Sequence, residues 1–334
     1  PSRMRGRGAE SVLSTLFYKY PKKEDGQLKS SNIGGQAVLE GIMMRNGSKY
    51  AVAVKKSNGE IEVSEETYSS VIKWKTLTKI PFVRGVFNFI DSLVLGLKTL
   101  NYSASFFEEE TEEIISEEEA KKAKKKEDVI MTFTMIISFV IAIGMFMVLP
   151  GLVADLLKGV ISSRLLRTVL ESIIRIAIFV VYILLVSKME DIKRTFMYHG
   201  AEHKCINCIE SGMELTVENV RKSSKHHKRC GTSFLFFVMV VSIVVCFFIT
   251  AENRLIRMLL RIALLPVIAG VSYELIKLAG SSCNPVVEWL SKPGMALQKL
   301  TTKEPTDDMI EVAIAAVEKV FDWRSYLAEN VEEK

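Results

Sequence analysis

Residues 129–149 read VIMTFTMIISFVIAIGMFMVL, without one charged side chain. A helix of that length matches the ~30 Å hydrocarbon core of a bilayer, where only helices and closed barrels satisfy their own backbone groups. This stretch decides the fold class: mainly α, a polytopic membrane protein. Thr232–Ala251 is a second uncharged run, bounded by Arg229 and Glu252. Thr168–Ser187 contains Glu171 and Arg175, an i,i+4 pair that can meet on one helix face. Met258–Ala279 carries Arg261, Glu274 and Lys277 near its ends, where long side chains can reach the interface. About four transmembrane helices are expected. The 334-residue chain is 49% apolar yet 25% charged, and bunching of the apolar residues reconciles the two values.

Orientation follows Lys and Arg in the loops. Lys188, Lys193, Arg194, Lys204, Arg221, Lys222, Lys225, Lys228 and Arg229 crowd the segment between the second and third spans. The N-terminal region is also basic. Four crossings of the membrane then put both termini and the 188–232 loop in the cytosol. Arg254, Arg257 and Arg261, on the opposite side, argue mildly against this. The first convincing apolar run begins after residue 80, so no signal peptide is expected. Cytosolic cysteines are expected to be thiols or ligands. The net charge of +5 suits an anionic lipid surface. No nucleic-acid module is present, so the lipid bilayer is the expected partner.

The chain divides by composition. Residues 1–32 are basic and loop-like, with loose packing expected. Residues 33–66 form a small cytosolic β element from Ala37–Leu39, Tyr50–Val54 and Ile61–Val63, with a tight hairpin at Asn58-Gly59. Residues 67–107 are broken by Pro81. Val83, Val86, Phe87, Ile90, Leu93, Val94 and Leu97 then follow a 3.6-residue period among Arg84, Asp91 and Lys98, which fits an interfacial or re-entrant helix. Gly85 and Gly96 allow close helix approach. Residues 108–128 form a charged linker, acid before base. Spans one and two fill 129–187, the His/Cys-rich loop 188–232, and spans three and four 233–279. Residues 280–334 make a cytosolic tail, with Pro285 and Pro293 ahead of a helix at Met309–Val320.

All four histidines fall between His199 and His227, and Cys205, Cys208 and Cys230 lie in or beside that window. The second span is expected to run on as helix to Gly212. On it, His199-Gly200-Ala201-Glu202-His203 spells H-x-x-E-H. His199 and His203 lie one turn apart and can chelate one ion, zinc first among divalent metals. Glu202 can serve as general base. Thr216 is a natural N-cap for a short helix at Val217–Ser224. The chain returns through His227-Lys228-Arg229-Cys230, so His227 or Cys230 can complete the site. An open fourth position would mean catalysis and a closed one structure. An interfacial role for these histidines is the plainer alternative. Cys205-x-x-Cys208 has knuckle or redox spacing but no second C-x-x-C, so two ordinary helix cysteines are expected. Cys246 reads as a small hydrophobe. Glu40 stands in an apolar stretch as a metal ligand, an exposed side chain or a partner for Arg45 or Arg84. These three and Arg229 make up a further set of polar candidates.

Several blocks carry a resemblance. They are Gly34–Arg45, Arg84-Gly85-Val86 with Asp91-Ser92-Leu93, Tyr198–Lys204, Leu215–Val220, His227–Phe234, Pro293-Gly294 and Leu300–Pro305. Together they resemble the bacterial family called domain of unknown function 1385, the YqhQ-like membrane proteins, over about Gly34 to Val320. Lys228 stands where the family usually has Pro, and Cys205 where it has a non-Cys residue, which weakens any role for a Cys205–Cys208 pair. The resemblance implies a polytopic membrane protein of a group often labelled metal-dependent enzymes, with no established reaction. Two functions are expected from the residues. One is a metal-dependent hydrolase acting on an amide or ester of a membrane-associated substrate. The other is a non-enzymatic accessory or regulatory subunit of a membrane protein complex for insertion, translocation or quality control.

Overall fold

A computed structural model describes residues 30–70, 80–107, 117–161, 163–249, 251, 253–281 and 284–331. Most of the expected basic N-terminus, residues 108–116 of the linker and Cys283 lie outside these residues. Four strands, β1 (Ile33–Val38), β2 (Gly41–Asn46), β3 (Lys49–Lys55) and β4 (Ile61–Thr67), form one antiparallel sheet in chain order. Asn58-Gly59 makes the expected turn, with Gly59 at φ 88°. Gly41–Asn46 is a strand that sequence reading passed over, because Gly41, Arg45 and Asn46 break its apolar alternation.

The helices are α1 (Val83–Ala104), α2 (Glu117–Ile143), a π-helical turn Gly144–Val148, α3 (Leu149–Leu156), α4 (Arg164–Val186), α5 (Glu190–Glu210), α6 (Val217–Lys222), α7 (Gly231–Phe248), α8 (Arg254–Ala263), α9 (Leu265–Ser281), α10 (Pro285–Thr301), α11 (Asp307–Val320) and α12 (Trp323–Val331). Among the described residues, three stretches are long and apolar enough to cross a membrane: Val129–Leu156, Leu165–Val186 and Gly231–Phe248. A fourth is available if α8 and α9, bent by 42°, count as one broken span.

The sheet is sandwiched. Ile42, Met44, Ala51 and Ala53 on one face pack with α5 and α11, among Tyr198, Ile206, Ile310 and Val317. Val38, Met43, Tyr50, Val52 and Val54 on the other face meet Leu95 of α1 and the aromatic rings of Tyr102 and Phe106. The other end of α1 lies along α9: Gly85 admits Tyr273, and Arg84 pairs with Glu274 at 2.5 Å. Gly96 receives the Gln36 side chain from β1.

Three expectations need correction, and one helix was not foreseen. The second span does not run on to Gly212. It stops at Val186, and α5 restarts at Glu190 after Met189, whose extended backbone (ψ 133°) ends the first helix. Glu190 and Asp191 in the first turn suit the positive end of the new helix dipole. The Pro285–Leu297 stretch is helical. Asn284 Oδ1 accepts from Val286 N at 2.9 Å, and Pro285 occupies the first helical position, where no N–H is needed. Ser31 is buried, its N and Oγ donating to Glu210 at 2.9 and 2.7 Å. Arg261 does not reach for an interface; it is 7% exposed and doubly bonded to Glu171.

Candidate metal centre

Helix α5 forms the floor of the site. His199 and His203 stand one turn apart on it, with ring centroids 4.4 Å apart. The His199 Nδ1–H donates to the Thr301 carbonyl at 2.9 Å, and the His203 Nδ1–H donates to the Lys225 carbonyl at 2.7 Å. Pinning Nδ1 in this way leaves Nε2 as the free lone pair of each ring, which is how metal-binding imidazoles are usually oriented. Cys230 caps α7, its Sγ accepting from Thr232 N at 3.3 Å and lying 3.2 Å from His199 Nε2. One donor atom each from His199, His203 and Cys230 falls within 4.8 Å of the others. Two imidazoles and a sulfur suit zinc in softness and number.

Gly200 explains its own place in H-x-x-E-H. The segment Thr301–Pro305 crosses α5 directly over it, and Lys303 N donates to Phe196 O at 2.8 Å. A side chain at 200 would collide with the Lys303 carbonyl. The glycine therefore lets in the strand of chain that presents Thr301 O to His199. Thr216 Oγ1 caps α6 by accepting from Asn219 N at 3.3 Å. The Lys204 ammonium gathers the carbonyls of Arg221 and Ser223, both at 2.9 Å, and the Glu304 carboxylate at 3.0 Å. This holds the returning limb against α5.

His227 lies outside this triad. Its Nε2 faces Glu210 Oε2 at 3.6 Å, and its backbone N–H donates to Gln298 Oε1 at 2.9 Å. Burial pushes the His227 pKa down to about 4, against the pull of Glu210, so the ring is neutral. Arg229 donates to Glu210 Oε1 at 2.6 Å. Burial alone would raise the Glu210 pKa, but the His227 hydrogen bond and the Arg229 charge outweigh it and hold it at about 2. The other polar candidates do not gather. Glu40, at φ 47° in the β1–β2 turn, pairs with Arg194 of α5 instead of Arg45 or Arg84. Arg45 donates to Gly47 O at 2.9 Å and stacks over Tyr68.

Glu202 lies on α5 three residues after His199 and one before His203. It is 6% exposed and lies under β1, where Gly35 N–H donates to its carboxylate. A Cβ at Gly35 would come within 2.9 Å of Glu202 Cγ. Burial raises its pKa, with His199 pulling the other way. Cys205 and Cys208 are both buried free thiols, pushed upward by burial, Cys208 to about 11.

These positions account for the sequence blocks noted above. A family model described as "Protein of unknown function (DUF1385)" matches residues 80–323. The chain belongs to this DUF1385 family. It is 33% identical over 300 residues to the "Uncharacterized protein YqhQ" of Bacillus subtilis (strain 168), over 89% of this chain and 94% of that protein. No solved structure matches significantly. In this DUF1385 chain, Gly35 admits Glu202, Gly200 admits Lys303 and Gly294 lies against Ser233 of α7. Sequence reading missed Gln298, which is wholly buried and bonds both backbone groups of His227 and Ser233 Oγ. A polar residue inside a Pro-containing run gave no signal.

The buried Glu210–His227 pair predicts acid lability. Between pH 6.5 and about 4 the unfolded chain protonates His227 while the folded chain does not, so stability falls as pH falls. From pH 4.5 towards 2, Glu210 adds a loss of the same sign. Each group contributes about 3 kcal/mol across its window. Glu202, with its raised pKa, opposes this above pH 4.5 but is a single group. Melting temperatures of purified protein should drop steadily from pH 7 to pH 4. A flat profile would contradict the burial of His227.

Proposed function

We propose that this is a multi-pass bacterial membrane protein, with a divalent-metal centre, zinc by donor chemistry, at the cytosolic edge of its spans. The supporting observation is the pinning of both Nδ1 atoms by backbone carbonyls, which turns two free lone pairs towards Cys230 Sγ. His199, His203 and Cys230 are the ligands. The basic 188–232 loop and the positive-inside rule put this layer and both termini in the cytosol. The centre joins α5 to the start of α7, while Thr301 and Lys225 hold the ligands from outside. It thereby knits the cytosolic sandwich to the spans.

Two roles follow. Three protein ligands leave a fourth position, the usual pattern of catalytic zinc, and a bound ion would supply Lewis acidity there. In that role Glu202, with its raised pKa, takes and returns the proton during hydrolysis of an amide or ester in a membrane-associated substrate. The enclosure of Glu202 beneath Gly35 favours the second role, in which the centre is a structural lock in an accessory subunit of a membrane complex. The exposed stripe Phe82, Phe89, Ile90, Leu93, Val94 and Leu100 on α1 favours it too. Zinc-edge X-ray absorption separates them. The lock predicts a spectrum unchanged by Glu202→Gln and no turnover of ester or peptide. A light-atom fourth ligand perturbed by that substitution, with loss of ester or peptide turnover, would establish the hydrolase.

A further inference from the structure

A second polar cluster lies inside the span bundle, away from the metal centre. Glu171 and Arg175 fall on α4 about 10 and 16 Å along the helix from Arg164, near mid-depth of a span. Arg261, in the last turn of α8 beside the break before α9, reaches the same point. Arg261 Nη2 donates to Glu171 Oε2 at 3.0 Å, with Nη1 on Oε1. Arg175 Nη2 donates to Glu171 Oε1 at 3.1 Å and Nη1 to Ser242 Oγ at 2.6 Å. The side chains are 7% (Arg175), 8% (Arg261) and 12% (Glu171) exposed.

The charges do not balance. Two guanidiniums, which stay protonated in proteins, share one carboxylate, leaving one positive charge. The Nε–H of Arg175 and that of Arg261 are both buried without a hydrogen-bond partner. An uncompensated buried charge is among the costliest features a fold can carry, and intramembrane ionisable groups usually serve a ligand or ion. Adding the neighbouring Asp155–Arg257 pair, joined at 3.1 Å, leaves the excess at one positive charge.

A way in exists. A cleft of ≈ 40 Å³ is lined by Met147, Val148, Gly151, Asp155, Arg257 and Arg261, among others. A water needs about 10–15 Å³, so one small anionic group fits. The missing side chain of Gly151 keeps the cleft open: a Cβ there would lie 3.6 Å from Arg261 Nη1 and 3.8 Å from Glu171 Oε1. The π-helical turn Gly144–Val148 forms the adjoining wall, and such turns recur at functional sites.

We propose that this cluster is an anion site, entered past Gly151 and Arg257, that takes one small anionic group, either the phosphate of a phospholipid headgroup or a free inorganic anion. Lying against Arg261, the anion supplies the counter-charge that the Glu171 carboxylate, shared between Arg175 and Arg261, leaves unmet. The site is separate from the metal centre and does not depend on it.

The test uses full-length protein, delipidated in a neutral detergent. Its melting temperature is followed against phosphatidylglycerol, phosphatidylethanolamine, sodium phosphate and sodium chloride, with sodium gluconate matching ionic strength. Wild type should show a saturable rise with phosphatidylglycerol if the source is a lipid, or with phosphate or chloride if it is a free ion. Gly151→Leu keeps every charge but fills the cleft, and should weaken the response at least tenfold. Glu171→Gln removes the competing carboxylate and should tighten it at least tenfold, whereas a purely structural ion pair predicts no gain. Metal content should be unchanged in both variants, which separates this result from the fate of the metal centre. No saturable response in wild type, or a Gly151→Leu response equal to wild type, overturns the proposal.

Discussion

A Gly200→Ala protein is expected to lose about 3 kcal/mol or more of stability, although alanine is the better helix former. The propensity gain is worth only about 1 kcal/mol. Against it stands a collision with a backbone oxygen, Lys303 O, which cannot rotate away as a flexible side-chain tip would. Overpacking of this kind costs typically 1–3 kcal/mol and occasionally more. The effect spreads, because moving residues 301–303 takes Thr301 O from His199 Nδ1 and Lys303 N from Phe196 O. Chemical or thermal unfolding in detergent measures the first loss, and metal retention the second. A Gly200→Ala protein as stable as wild type would show that the 301–305 segment does not cross α5 there.

Glu210→Gln should be nearly as damaging. Glu210 Oε1 accepts from Ser31 N, Ser31 Oγ and Arg229, while Oε2 faces His227. Glutamine keeps the shape and loses the charge that balances Arg229. Breaking one side of a fully buried pair costs about 3–5 kcal/mol; this pair is half-buried, so the loss should be smaller, about 2–3 kcal/mol. The loss also reaches the metal centre, since Arg229 immediately precedes Cys230. Glu218→Gln is the control. Its partner Lys222 is exposed and sits one turn away on the same helix, at 2.7 Å, so the change should stay within about 0.5 kcal/mol. Equal effects from the two substitutions would contradict the buried network.

Much of this architecture was legible because it rests on local rules. Uncharged runs of span length, i,i+4 histidines on one face, Thr216 before a short helix and Asn-Gly between apolar runs each report a short-range constraint. The partners were not legible, because they are set by contacts across distant segments. Glu40 takes Arg194 rather than Arg45 or Arg84, and nothing within either segment encodes that choice. His227 and Cys230 looked equivalent as third donors; Glu210 and Gln298, both distant in sequence, claim the histidine. The helix at Pro285–Thr301 was hidden by its prolines, one of which occupies the one helical position that welcomes it. Arg261 looked like an interfacial residue until the break between α8 and α9 turned it onto Glu171. The glycines at 35 and 200 marked close approaches whose other halves lay over a hundred residues away.

The most direct measurement is the zinc content of detergent-purified wild-type protein beside His203→Ala, with His227→Ala as a third sample, each checked for folding by its melting transition. The three-donor centre predicts about one equivalent of zinc in wild type, near-complete loss in His203→Ala, and retained zinc in whatever fraction of His227→Ala remains folded. Equal zinc in wild type and folded His203→Ala, or loss only in folded His227→Ala, would contradict it.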